Sequence, residues 1–121
     1  MFYKFNSFKH GIKNLIKWLK IIWNDRDFDY GYLYEIMYLK LENMQKFFES
    51  DNTCSMGAEV YAKQIRECKE LLKRIMNEEV FEEYRENDYY TIPLIEIEKK
   101  SEEEKNLFWN SMRRNVEKWW D

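Results

Sequence analysis

The chain has 121 residues, 45% of them apolar and 36% charged, with a net charge of −3. That length suits one domain able to bury roughly 65% of the surface its unfolded form would expose, and three Gly with one Pro make a helical composition. Two cysteines and one histidine exclude a disulfide framework and fit a reducing, cytoplasmic compartment. Charge is spread unevenly: residues 1–20 hold five lysines and no acid, which leaves the rest of the chain at −8, a basic arm on an acidic body.

Over 8–23, apolar residues at Ile12, Leu15, Ile16, Leu19, Ile22 and Trp23 oppose Lys9, Lys13, Lys17 and Lys20, which predicts a basic amphipathic helix. Its apolar run is too short and too often interrupted by lysine to span a bilayer, and no small-residue cleavage site follows it. The next stretch, Trp23 to Gly31 (WNDRDFDYG), sets Asp25, Asp27 and Asp29 on alternate positions. A calcium loop counted from Asp25 needs glycine in sixth place and glutamate in twelfth, where this chain has Tyr30 and Ile36. The plainer reading is a helix corner: Asp25 or Asp27 caps the following helix, Arg26 pairs with a nearby acid, and Asp29 sits in the first turn. A ligand or partner contact at the same corner is the alternative.

Tyr30, Tyr34, Met37, Leu41, Met44 and Phe48 then recur at heptad spacing, a seam on a helix over 29–50 that requires a partner. After the loop 51–57, a long helix over 58–84 turns Ala58, Ala62, Ile65, Cys68, Leu72 and Ile75 inward, and the two make an antiparallel hairpin. Between 87 and 100 the pattern changes: Ile95, Glu96, Ile97 and Glu98 alternate and Pro93 forbids a helix interior, predicting an extended linker or an edge strand. Ser101 and Glu104 read as a capping box that opens a last helix over 101–120. The expected fold is therefore an all-α small helical bundle, one domain built on the hairpin, with the amphipathic helix before it and the linker and last helix after it.

The inventory of chemistry is short. One histidine cannot anchor a nucleophilic triad, Cys54 and Cys68 lack further Cys or His for zinc, and no glycine-rich loop cradles phosphate. No enzyme, metal or cofactor is expected. The acidic net charge and absent motifs argue against nucleic acid. Solvated lysines opposite an apolar face are commoner than membrane helices of that pattern, which argues against a bilayer partner. The 18% aromatic content reads mostly as core; because a bundle this small can hardly bury every ring, the alternative is that part of it forms an interface or a base-stacking surface, and surfaces left over favour a homodimer.

The segments DRDFDYGYLYEIMYLKLENM, GAEVYAKQIRECKELLKRI, IPL and KWWD together resemble a family of small proteins of tailed bacteriophages. These share a D-R-D-aromatic-D-Y corner, a helical hairpin and a Trp-Trp-Asp end; Phe28 stands here where Trp is usual. The resemblance spans nearly the whole chain and implies a phage origin, an infected bacterial cytoplasm as its place of action, and a helical fold. It carries no settled activity. The positions it marks for a site are Asp25, Arg26, Asp27 and Tyr30 at the corner, Lys63 and Arg66 on the long helix, and Trp119, Trp120 and Asp121 at the end. By analogy with small phage proteins, the expected action is stoichiometric binding that counters host defence. One version sequesters a nucleotide-type immune signal, with rings stacking on the base and Arg66, Lys63 or Arg26 on phosphate; the other masks a host protein surface.

Overall fold

A computed structural model describes residues 2–86 and 93–121. Among them are five α-helices and one 3-10 turn, with no strand: α1 Phe2–Asn24, α2 Tyr30–Glu49, α3 Ala58–Met76, α4 Glu79–Glu86, α5 Leu94–Asn115 and the turn Val116–Lys118. The protein is an all-α small helical bundle with packed helices. No helix among the described residues is long and apolar enough to cross a membrane. Contacts divide the chain into two compact units, Met1–Ile36 and Met37–Asp121.

The first unit holds α1 and the start of α2. The helix expected over 8–23 begins earlier, at Phe2, and ends at Asn24. Among its described side chains Trp18 and Ile21 are half-buried, whereas the stripe that defines its amphipathic pattern is exposed, from Ile12 at 42% to Trp23 at 79%.

The second unit contains the core. Leu41 and Phe48 of α2, five residues of α3, Val80 of α4, Ile97 and Phe108 of α5, and Trp119 are buried, each such side chain contributing about 1.5–3 kcal/mol where it is large and fully buried. On α3 the inward residues Ala58, Ala62, Ile65, Cys68 and Leu72 follow the periodicity of the sequence, while Ile75 is half-buried. α3 packs foremost against α5, and α4 packs on both. The Cys68 Sγ, fully buried, shares a hydrogen bond of 3.1 Å with Ser111 Oγ of α5. Burial pushes that thiol's pKa up, against the hydrogen bond from Ser111.

Three expected elements differ. The helix expected over 58–84 is broken at Asn77 and Glu78, where Glu78 takes φ 50°, a left-handed conformation that ends α3 and redirects the chain into α4. The linker expected over 87–100 falls partly outside the described residues, at 87–92. Its remainder is helical from Leu94, with Pro93 as the residue before the first turn, a place where a missing N–H loses no helical bond. Ser101 is accordingly not an N-cap; it lies inside α5 and is half-buried. The alternation at Ile95–Glu98 marks no strand, because Ile97, Ser101, Glu104 and Phe108 fall on one helical face at spacings of four, three and four. The last helix, expected over 101–120, ends at Asn115 and passes into the 3-10 turn.

Candidate binding groove

The sequence loads the segment between α2 and α3, Ser50 to Gly57, with short hydroxyl side chains that bond the nearby backbone. Ser50 Oγ donates to the Phe47 carbonyl at 2.6 Å and accepts the Asn52 N–H at 3.2 Å. Thr53 Oγ1 accepts the Ser55 N–H, and Ser55 Oγ accepts the Gly57 N–H. Asp121 then ties the loop from outside: its Oδ1 accepts the Thr53 hydroxyl at 2.8 Å, the Cys54 N–H at 2.6 Å and the Ser55 N–H at 2.9 Å. The Thr53 hydroxyl, followed by the two backbone N–H groups, holds the Asp121 carboxyl below the usual carboxylate range, as donors to the charged form do.

Gly57 completes the turn into α3. A Cβ there would lie 2.9 Å from Tyr61 Cζ, so a larger residue would push the ring of Tyr61 aside. That ring meets Phe48 edge-on at 5.5 Å, which ties the end of α2 to the first turn of α3.

Against this loop lies a groove of about 540 Å³, lined by the end of α2, the loop, and the first turns of α3 from Ala58 to Arg66. Its cations are Lys63 and Arg66, and its acids Glu49, Asp51 and Glu59. Lys63 and Arg66 are exposed, stand one helical turn apart, and form no ion pair among the described residues. They can meet an anionic group while the carboxylates and the Ser and Thr hydroxyls meet donors.

A second cavity, of about 410 Å³, lies where α3, α4 and α5 meet, and its arginine is already paired. Arg74 reaches Glu104 with Nε at 2.7 Å, and Glu83 and Glu79 with Nη1 at 2.8 and 3.2 Å. The guanidinium pKa is raised by Glu83 and Glu104, and Glu83 is held below the usual range by the same contact. Lys100 Nζ lies 5.5 Å from the Tyr84 ring centroid, and Tyr84 raises its pKa. This side of the bundle is held together by its charges, whereas the groove offers its charges outward.

The sequence-marked residues divide between the units. Asp25, Arg26, Asp27 and Tyr30 belong to the first. There the cap of α2 is Asp29, not Asp25 or Asp27: it precedes the helix, and its Oδ1 accepts the Gly31 N–H at 2.8 Å. A Cβ on Gly31 would approach that oxygen to 3.1 Å. Arg26 pairs with no acid but turns its Nη1 onto the carbonyls of Asp25 and Asn24, at 2.7 and 3.3 Å. Tyr30 is exposed and meets Tyr34 edge-on at 5.8 Å.

Lys63, Arg66, Trp119 and Trp120 belong to the second unit, and of these Lys63 and Arg66 share the groove. Trp119 is not a surface contact: it is 5% exposed and its Nε1 donates to Gln64 at 3.0 Å. Trp120, at 74% exposed, remains on the surface. Thr53, Ser55 and the Arg74 cluster escaped sequence reading; the only hint was the run Asp51-Asn52-Thr53-Cys54-Ser55 between two apolar repeats. Among the described residues, no group of three His, Cys, Asp or Glu is placed to hold a metal ion.

The fold and groove thus define a small helical bundle with a polar, mixed-charge cleft beside its α2–α3 loop. Comparison with protein-family models, curated proteins and solved structures finds no match.

Proposed function

We propose that the protein acts without catalysis, by stoichiometric binding of a phosphate-bearing, nucleotide-type signal in the groove beside the α2–α3 loop. In the bacteriophage setting that the sequence resemblance implies, this counters host defence by removing the signal. The observation that carries the reading is the pair Lys63 and Arg66, cations one turn apart on the groove wall with no ion pair among the described residues, alongside hydroxyl and carboxylate groups of the loop for base or sugar donors. Stacking is not available from Trp119, so the two cations carry the recognition. Calorimetry against a panel of cyclic dinucleotides and ADP-ribose derivatives tests it. At least one compound binds tightly, Arg66→Ala weakens that binding by about 2 kcal/mol, and rising salt weakens it further. A panel with no ligand overturns it.

A second reading has its own support. Met56 and Val60 stand exposed near the same loop, and Trp120 is exposed after the buried Trp119, apolar groups of the kind protein interfaces use. In that reading the same face masks a host protein: the panel is silent, and affinity purification from infected cells yields one stoichiometric host chain that Trp120→Ala releases.

A further inference from the structure

Within the first unit, the apolar stripe of α1 has no partner among the described residues. Ile12, Leu15, Ile16, Leu19, Ile22 and Trp23 are all between 42% and 79% exposed. The side chains that α1 does half-bury, Trp18 and Ile21, lie off the stripe, so the packing of the first unit does not use the face the sequence makes apolar. A helix that leaves this much large apolar surface in water is destabilised unless something covers it.

The chemistry along the stripe identifies the cover. Lys9, Lys13, Lys17 and Lys20, all exposed, form one row along its edge at helical spacing. Residues 1–24 contain no acid at all. The charges that border the stripe are all cations, the pattern of a helix that lies on a surface of uniform negative charge. Phe8, 68% exposed, and Trp23 stand at the two ends of the stripe, aromatic groups suited to the headgroup level. The helix is about 35 Å long and, too charged to span a bilayer, suits lying along one.

We propose that α1 is an interfacial helix that binds the surface of a bilayer rich in anionic lipid, its stripe in the acyl boundary and its lysine row on lipid phosphates. The site is separate from the groove, and its test does not depend on the groove's ligand. Full-length protein is mixed with vesicles of phosphatidylcholine and phosphatidylglycerol in equal parts, and with vesicles of phosphatidylcholine alone, and binding is read by flotation and by tryptophan emission.

The mixed vesicles float the protein and shift its emission to the blue; the neutral ones bind it far more weakly. Each lysine near an anionic surface contributes a factor of about five, so the double variant Lys13→Gln, Lys17→Gln weakens binding about 25-fold. Ile16→Glu abolishes binding with the helical spectrum retained; if that variant loses helicity, the lysine pair decides. Three results overturn the proposal: no binding of the wild-type chain to the mixed vesicles, binding that the lysine pair leaves unchanged, or sedimentation showing a dimer that Ile16→Glu dissolves, in which case a second copy covers the stripe.

Discussion

The two units treat the same kind of side chain in opposite ways. In the second, the apolar residues that repeat at helical spacing are buried, down to Ile65, Leu72, Ile97 and Phe108 at 0% exposure. In the first, an equally regular stripe on α1 is exposed, and among the described residues no buried core residue falls before Leu41. A periodic apolar face therefore states that something must cover it, and says nothing about what. For α3 the cover is α5, which lies dozens of residues further along the chain; for α1 it is not found within the first unit.

The largest expected effect tests that contrast directly. Phe108→Ala empties a fully buried site and costs about 3–5 kcal/mol, measured by chemical denaturation, whereas Leu15→Ala, on the exposed stripe, stays within about 0.5 kcal/mol. Equal losses would mean that the stripe is covered after all in the free protein. Next in size is Arg74→Met, which leaves Glu79, Glu83 and Glu104 without their shared cation. Since the group is partly solvated, the loss is about 1–2 kcal/mol and shrinks in high salt. Hydrogen exchange in α1 does not change, which confines the effect to the second unit.

The smallest concerns Asp121, and its signature is pH dependence. Its carboxyl is held below the usual carboxylate range in the folded protein, so its contribution is full above the ordinary unfolded pKa of about 4 and disappears as pH falls through the lowered value. Asp121→Asn therefore lowers the Tm at neutral pH, and the gap from wild type closes in acid. A gap that persists unchanged at low pH would mean that shape, not charge, holds the loop.

Much of the helical content was legible from spacing alone. The face Ala58, Ala62, Ile65, Cys68 and Leu72 reads inward because all five are apolar and none competes with the backbone. The first helix could be placed, though not its early start at Phe2. What defeated reading was polarity on an inward face: α5 presents Ser101, Glu104 and Ser111 at half-buried positions, where Glu104 meets Arg74 and Ser111 meets Cys68. Those partners are distant in sequence, so the segment looked like a linker followed by a capped helix.

The break at Glu78 was equally silent, since glutamate carries no turn signal and the apolar pattern continues past it to Tyr84. At the candidate site, Lys63 and Arg66 were marked by the resemblance and share a groove. The aspartate corner proved to bond locally, through Asp29 rather than its neighbours, and Trp119 turned inward.

The two thiols give the second unit a built-in clock. Cys54 is exposed and Cys68 is buried, so an alkylating reagent consumes the first at the rate of an unhindered thiol and reaches the second only when α3 and α5 part. In native buffer, without denaturant or substitution, the slow phase of labelling reports how often that pair of helices separates. When reagent is dilute enough for reclosing to win, the same phase reports the equilibrium constant for separation; when reagent is in excess, it reports the opening rate itself.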